Sequence, residues 1–187
     1  MIAVGFGTPE KLSTKDHNGK WAIFTADDGS LLFEIRDARK YILEIKWSRD
    51  AKFIALGSSD HKIYIYSISI TKDEESPLQV SLISKVDHHN EPIKHIDFSI
   101  DGSYIQSNDS SELCYFETDT GINIPAASRL KDVIWETQTC VFGYSVKGMH
   151  PIINDEANIT TVDRNIDFET PESSVIAAGD NFGRLKL

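Results

Sequence analysis

Short runs that are apolar throughout or apolar at alternate positions recur along this chain, among them "FIALGS" at 53–58, "KIYIYSIS" at 62–69 and "QVSLISKV" at 79–86. Such alternation sends successive side chains to opposite faces of a pleated strand. No window of helical length sustains apolar positions three and four apart, so the pattern predicts an all-β chain. Expected strands cover 2–5, 20–25, 31–36, 41–47, 53–58, 62–69, 79–86, 93–99, 104–108, 112–118, 121–126, 132–136, 139–146, 158–163, 175–179 and 184–187. The intervening "RDAK", "IDGS", "SSDH", "DTG" and "DNFG" supply Asp, Asn and Gly where the backbone must reverse. The apolar positions are rich in β-branched and aromatic residues, which suit a half-buried pleated surface.

The pattern also repeats. "WSRDAKFIALGSSDHKIYIYSIS" begins at Trp47, and "FSIDGSYIQSNDSSELCYFET" begins 51 residues later at Phe98. A period of roughly 40 to 50 residues with about four strands per unit predicts a β-propeller in which each unit is one blade. The expected division is complete repeats at 37–87 and 88–128, an insertion-like segment at 129–157, and partial blades at 1–36 and 158–187. Counted this way, the chain opens at a second strand and stops at a third. About three to four four-stranded blades then form an arc that is not closed. Such an arc carries unpaired edges and bare apolar flanks, so the expectation is a piece of a larger ring or self-association through the open propeller edges.

Within the repeats, "FIALGSSDHKIYIYSIS" resembles the second and third strands of a WD40 repeat, with Asp60 in the tight turn and Tyr66 where a Trp usually ends the third strand. Phe116 takes that place in the next copy. His88 and His89 stand where WD40 repeats carry a Gly-His pair. The resemblance implies a buried hydrogen-bond chain of loop His, strand Ser, turn Asp and third-strand aromatic. Ser58 and Asp60 fit two of its positions in one repeat, Tyr66 replaces the usual indole donor only by reorienting, and no good His candidate precedes Tyr41, so an incomplete network is expected. Beyond the repeats, "LKDVIWETQTCVFGYSVKGMHP" (Leu130 to Pro151) resembles an insertion in the second propeller of the echinoderm microtubule-associated protein-like family, and "AAGDNFGRLKL" (Ala177 to Leu187) resembles the blade after it. Together with "IALGSSDHKIYIY" these pieces cover most of the chain. The family's hydrophobic motif, first propeller and basic coiled-coil amino-terminal region have no counterpart among these residues.

Composition narrows the function classes. A chain of 187 residues with 40% hydrophobic content can bury a sizeable core. Its formal net charge of -10 opposes phosphate binding, so neither nucleic acid nor an anionic membrane is expected as a partner. No apolar run has the length of a membrane span or a signal peptide, and a soluble, cytoplasmic protein is expected. Cys114 and Cys140 lie in apolar runs and read as buried thiols of a reducing compartment. The sequons at Asn108 and Asn158 would matter only in a secreted protein.

Candidate chemistry is sparse. His61, His88, His89 and His95 lack the spacing of a zinc site, so no metal is expected. There is no Gly-x-Ser-x-Gly elbow, and "SSDH" places Ser, Asp and His on one tight turn where their side chains diverge. "GFG" at Gly5 to Gly7 lacks the helix of a phosphate cradle, and "KDEES" at 72–76 reads as a solvated loop. Neither a cofactor nor a catalytic residue is expected. Trp135, Tyr144 and Met149, with His150 beside them, either pack as an added layer or meet a partner; alternation through "CVFGYSV" suggests a covered strand.

The resemblance implies a non-enzymatic protein-binding scaffold associated with tubulin and the cytoskeleton. In the family, microtubule attachment depends largely on the basic amino-terminal region, so an acidic module of this kind is expected to meet soluble tubulin or another protein through its loops. The rival readings are a generic WD40 adaptor in another multiprotein complex and a hydrolase, which would need titratable groups clustered at the central channel.

Overall fold

The computed structural model describes residues 1–7, 18–71, 78–149, 158–165 and 174–187. The loop "KDEES" and His150 lie outside the described residues. Four antiparallel sheets follow one another along the chain. The first joins β1 (Ile2–Gly5), β2 (Lys20–Phe24) and β3 (Leu31–Arg36). The second joins β4 (Ile42–Trp47), β5 (Phe53–Ser58), β6 (Ile63–Ile70) and β7 (Leu78–Val86) in that order. The third joins β8 (His95–Phe98), β9 (Tyr104–Asn108) and β10 (Leu113–Glu117), and the fourth β11 (Ile159–Asn165), β12 (Val175–Asp180) and β13 (Leu185–Lys186).

Period-two side-chain alternation determines how the sheets stack. Ile54 and Leu56 of β5, with Tyr64, Tyr66 and Ile68 of β6, turn toward the first sheet and pack on Trp21 and Ile23. The residues between them, Ala55, Ile63 and Ile65, turn the other way and pack on Ile96, Phe98, Ile105 and Phe116 of the third sheet. The two middle strands of the second sheet, β5 and β6, are thus buried on both faces and therefore read as nearly continuous apolar runs. Each large side chain buried this way contributes about 1.5–3 kcal/mol.

Register makes the sheets equivalent. Gly57 pairs with Ile63 across β5 and β6, and Gly5 pairs with Trp21 across β1 and β2. A Cβ on Gly57 would lie 2.7 Å from Cγ2 of Ile93, and one on Gly5 would lie 2.7 Å from Cβ of Ile42. At both places the strand next to the inner one must carry no side chain, because an isoleucine of the following sheet fills the space. The first sheet therefore presents counterparts of β5, β6 and β7, and the fourth presents counterparts of β4, β5 and β6.

The third and fourth sheets meet through an intervening layer. Residues 127–149 hold two short 3-10 turns, Ala127–Leu130 and Lys147–Met149, and otherwise run without regular structure. Leu130 and Trp135 pack on Tyr115 and Ile124 of the third sheet's side, while Val141 and Val146 pack on Ile159, Val162 and Ala178 of the fourth. The strands expected at 132–136 and 139–146 are absent; only an isolated bridge joins Ser99 and Trp135. Gly143, at φ 127, breaks the run, and the amides of Thr139 and Cys140 are bound to a side chain, leaving no strand ladder. The strand expected at 121–126 is likewise reduced to a bridge between Asn123 and Phe116.

Candidate functional site

The wedge at 127–149 is fastened by a carboxylate. Asp97, on β8 between Ile96 and Phe98, is fully buried. Its oxygens accept from Gln106 Nε2 at 3.0 Å, Thr137 Oγ1 at 2.6 Å, Thr139 Oγ1 at 2.9 Å, the Thr139 amide at 2.9 and 3.0 Å, and the Cys140 amide at 2.9 Å. A buried carboxylate is tolerable only when donors replace the water it lost, and here they do. Gln138, also fully buried, donates to the Cys140 carbonyl and accepts from Ser145 Oγ, closing the turn from within. Burial, with Asp97 beside it, pushes the Cys140 thiol well up.

A second buried network braces the third sheet. His89, in the loop before β8, places Nε2 2.7 Å from Ser107 Oγ on β9 and Nδ1 3.2 Å from Oδ2 of Asp109 in the next turn. Asp109 is pushed up by burial, but the amides of Ser111 and Glu112, together with His89, hold it below the usual carboxylate range. An ionised Asp109 can only accept, so Nδ1 carries the proton and Nε2 accepts from the Ser107 hydroxyl. Burial lowers the pKa of His89 more than Asp109 raises it, and the ring is neutral. Phe116 lies against this ring at 6.2 Å and His88, which is exposed, at 6.0 Å.

The order Ser–His–Asp suggests acyl transfer, but the surroundings do not. Ser107 is fully buried and Asp109 is 1% exposed, so no substrate carbonyl reaches the hydroxyl. His89, Glu112 and Cys114 also bring ligand-type atoms within 4.8 Å of one another. Both ring nitrogens are already engaged, and burial pushes the Cys114 thiol up to about 12, which suits a packed trio better than a cation site.

In the second sheet the residues singled out by sequence make different bonds from those implied. Asp60 accepts from Tyr64 OH at 2.8 Å and from the Arg39 amide at 2.8 Å, not from Tyr66. Tyr66 OH donates instead to Asp37 at 2.6 Å, and burial first, then that bond, raises its pKa. Ser58 Oγ reaches the carbonyls of Lys40 and Tyr41 at 3.4 and 3.3 Å. His61 holds a left-handed φ of 71 in its turn, where the equivalent turn of the fourth sheet has Gly183 at φ 78. His95 is half-buried on β8, and burial lowers its pKa.

Among the three candidate contact residues, Trp135 is 5% exposed and stacks on Tyr115 with ring centroids 6.0 Å apart, which gives it to the core. Met149 packs partly buried against the fourth sheet's cluster. Tyr144 is 47% exposed beside an open groove of about 310 Å³ walled by Leu113, Tyr115, Ala127 and Phe142, with Lys147 on its rim. Ser107, Asp109 and Asp97 escaped sequence reading. A charged residue between two apolar ones in "HIDFS", and the Ser-x-Asp following a loop His, were the available signals.

Successive antiparallel sheets stacked face to face, with a His–Ser–Asp brace between loop, strand and turn, define a WD40-type β-propeller, present here as an open arc. A family model described as echinoderm microtubule-associated protein second beta-propeller matches residues 1–187, and the chain belongs to that family. It is 30% identical over 171 residues to the 77 kDa echinoderm microtubule-associated protein of Strongylocentrotus purpuratus, covering 91% of this chain and 24% of that one. It is 31% identical over 173 residues to echinoderm microtubule-associated protein-like 4 of Xenopus laevis, covering 91% of this chain and 18% of that one. The chain thus spans about a fifth to a quarter of the curated relatives it matches. Among solved structures, the Cps50 (Swd1) β-propeller domain of Myceliophteria thermophila overlays with a TM-score of 0.49 at 18% identity, over 57% of this chain and 34% of that one. Among the described residues no helix is long and apolar enough to cross a membrane.

Proposed function

We propose that this chain is a non-enzymatic protein-binding module that meets soluble tubulin, working in the cytoplasm at or near microtubules. The observation that carries this reading is the match of the whole chain to a second propeller whose curated relatives are named as microtubule-associated proteins. The net charge of -10 supports a protein partner over nucleic acid or an anionic membrane. The burial of Ser107 supports a scaffold over a hydrolase. Within the module, repeats at 37–87 and 88–128 supply the framework, and the segment at 129–157 presents Tyr144 as the contact residue. Pull-down of tubulin from purified stock by the immobilised chain at low salt tests the proposal; retention is expected, and it should weaken with Tyr144→Asp while the fold persists.

Self-association is the second part of the proposal. Among the described residues β1 and β13 each pair on one side only, and Ile2, Leu31, Val175 and Leu185 are exposed on the outer sheets. Two different open edges on one molecule favour head-to-tail contact with a second copy. Light scattering across a concentration series should show mass rising with concentration, and Leu185→Lys should abolish the rise.

A further inference from the structure

Among the described residues the second sheet has four strands and the third has three. In the second, β7 covers the outer edge of β6 from Ile63 to Ile70. In the third, the edge of β10 is covered only in part. The Glu117 amide donates to the Ile122 carbonyl at 3.0 Å and the Ile124 amide donates to the Tyr115 carbonyl at 2.8 Å, after which the covering chain leaves the edge. Pro125 follows, and its carbonyl accepts the Ala127 amide at 3.2 Å as the first 3-10 turn begins. Leu113, two residues before Tyr115 on the same strand, aims its amide and carbonyl the same way, away from β9, because backbone groups alternate sides along a strand. Neither group has a hydrogen-bond partner among the described residues.

We propose that an extended segment of a protein partner fills this vacant half-strand, pairing with β10 at Leu113 and burying an apolar side chain in the groove beside it. The groove of about 310 Å³ is walled by Leu113 and Tyr115 on one side and by Phe142 and Tyr144 of the wedge on the other. The side chains of Leu113 and Tyr115 do face the wedge: a Cβ on Gly143 would lie 3.3 Å from Cδ2 of Leu113 and 3.7 Å from the Tyr115 hydroxyl. A partner residue set opposite Leu113 shares its face, so its side chain turns into the groove. A free amide and a free carbonyl on one edge residue are matched together by another extended backbone. A helix or a compact ligand could fill the groove, but either would leave Leu113 unpaired. Lys147, exposed on the rim and without an ion pair among the described residues, favours a carboxylate at an end of the segment. This added strand rests on the proposed contact role of Tyr144 and not on tubulin as the partner.

The probe is acetyl-Glu-Val-Leu-Val-Glu-amide, whose residues read alike in both directions, so strand polarity does not decide the outcome. Added to the labelled chain, it should shift the amides of Leu113, Tyr115 and Tyr144. Methylating the leucine nitrogen removes the donor that faces β10 and should weaken the peptide roughly tenfold. Methylating the second valine nitrogen, which faces away, should leave affinity little changed. Leu113→Pro removes the matching amide, which bonds nothing in the third sheet, and should weaken the peptide to a similar degree with the fold intact. Lys147→Glu should weaken it roughly threefold. No shifts, shifts confined to other surfaces, or equal affinity of the two methylated peptides would each overturn the proposal. So would the same shifts on concentrating the chain without peptide, which would give the edge to a second copy. Peptide binding without retention of tubulin removes tubulin alone, and retention of tubulin without peptide binding removes the added strand alone.

Discussion

Ser48 and Ser99, 51 residues apart, make the same set of bonds. The hydroxyl of each donates to an Asp two residues on, at 2.8 Å to Asp50 and 2.6 Å to Asp101, and accepts the amide five residues on, at 2.9 Å from Phe53 and 2.9 Å from Tyr104. The backbone closes the same loop at 2.9 Å in both, and Ala51 and Gly102 take the same left-handed conformation, at φ 57 and φ 73. The repeated sequence is thus a repeated turn that aims each pair of strands alike. Replacing Ser99 with Ala removes both side-chain bonds and should cost about 1–2 kcal/mol in urea unfolding; a cost near zero would show that the backbone closes this turn unaided.

Asp97 holds the wedge, so its loss should be felt there first. Asp97→Ala leaves the Thr139 and Cys140 amides and the Thr137 hydroxyl without an acceptor in a buried setting. A destabilisation of about 3–5 kcal/mol is expected, with new protease cleavage between 130 and 149. Cleavage elsewhere, with the wedge intact, would contradict this role.

Gly57 is the contact point of two sheets. Gly57→Ala forces a methyl group against Cγ2 of Ile93 and should destabilise by about 1–3 kcal/mol, and its cost should shrink in an Ile93→Ala background, which removes that Cγ2. Independent, additive effects of the two substitutions would argue against the close approach.

The neutral state of His89 gives stability a pH dependence. Burial holds its folded pKa below the ordinary 6.5, against the pull of Asp109 and Glu112 and with the push of His88. The unfolded chain therefore takes up a proton that the folded chain refuses. The stability conferred by the neutral ring is complete above 6.5 and is lost as pH falls through and below that value. His95 shifts in the same direction, so His89→Gln should flatten the fall of the urea midpoint between about pH 8 and pH 5 without abolishing it. An unchanged slope would remove His89 from the account.

Much of the architecture was legible because a strand buried on both faces leaves a mark that composition cannot hide. "FIALGS" and "KIYIYSIS" are β5 and β6 nearly to the residue. The wedge was misread because its apolar residues, Cys140, Phe142, Tyr144 and Val146, alternate by coincidence; Cys140, Val141 and Val146 are the buried ones. Its backbone bonds run to side chains far away in sequence, Val141 to Asn108 across 33 residues and Cys140 to Asp97 across 43, and no local pattern announces them. The bracing histidine was recognised in its loop, but its partners Ser107 and Asp109 were lost among many similar polar residues. In the second sheet a tyrosine at 64 took the bond that family resemblance would have given to Tyr66.

The proposed role as a tubulin-binding scaffold is tested most directly by running the chain with purified tubulin dimer on a sizing column at low ionic strength, with mass read by light scattering. The account predicts a single earlier peak whose mass equals tubulin plus this chain, splitting into two when Tyr144 is replaced by Asp. Two unshifted peaks with the unaltered chain, over micromolar concentrations of both proteins, would contradict it.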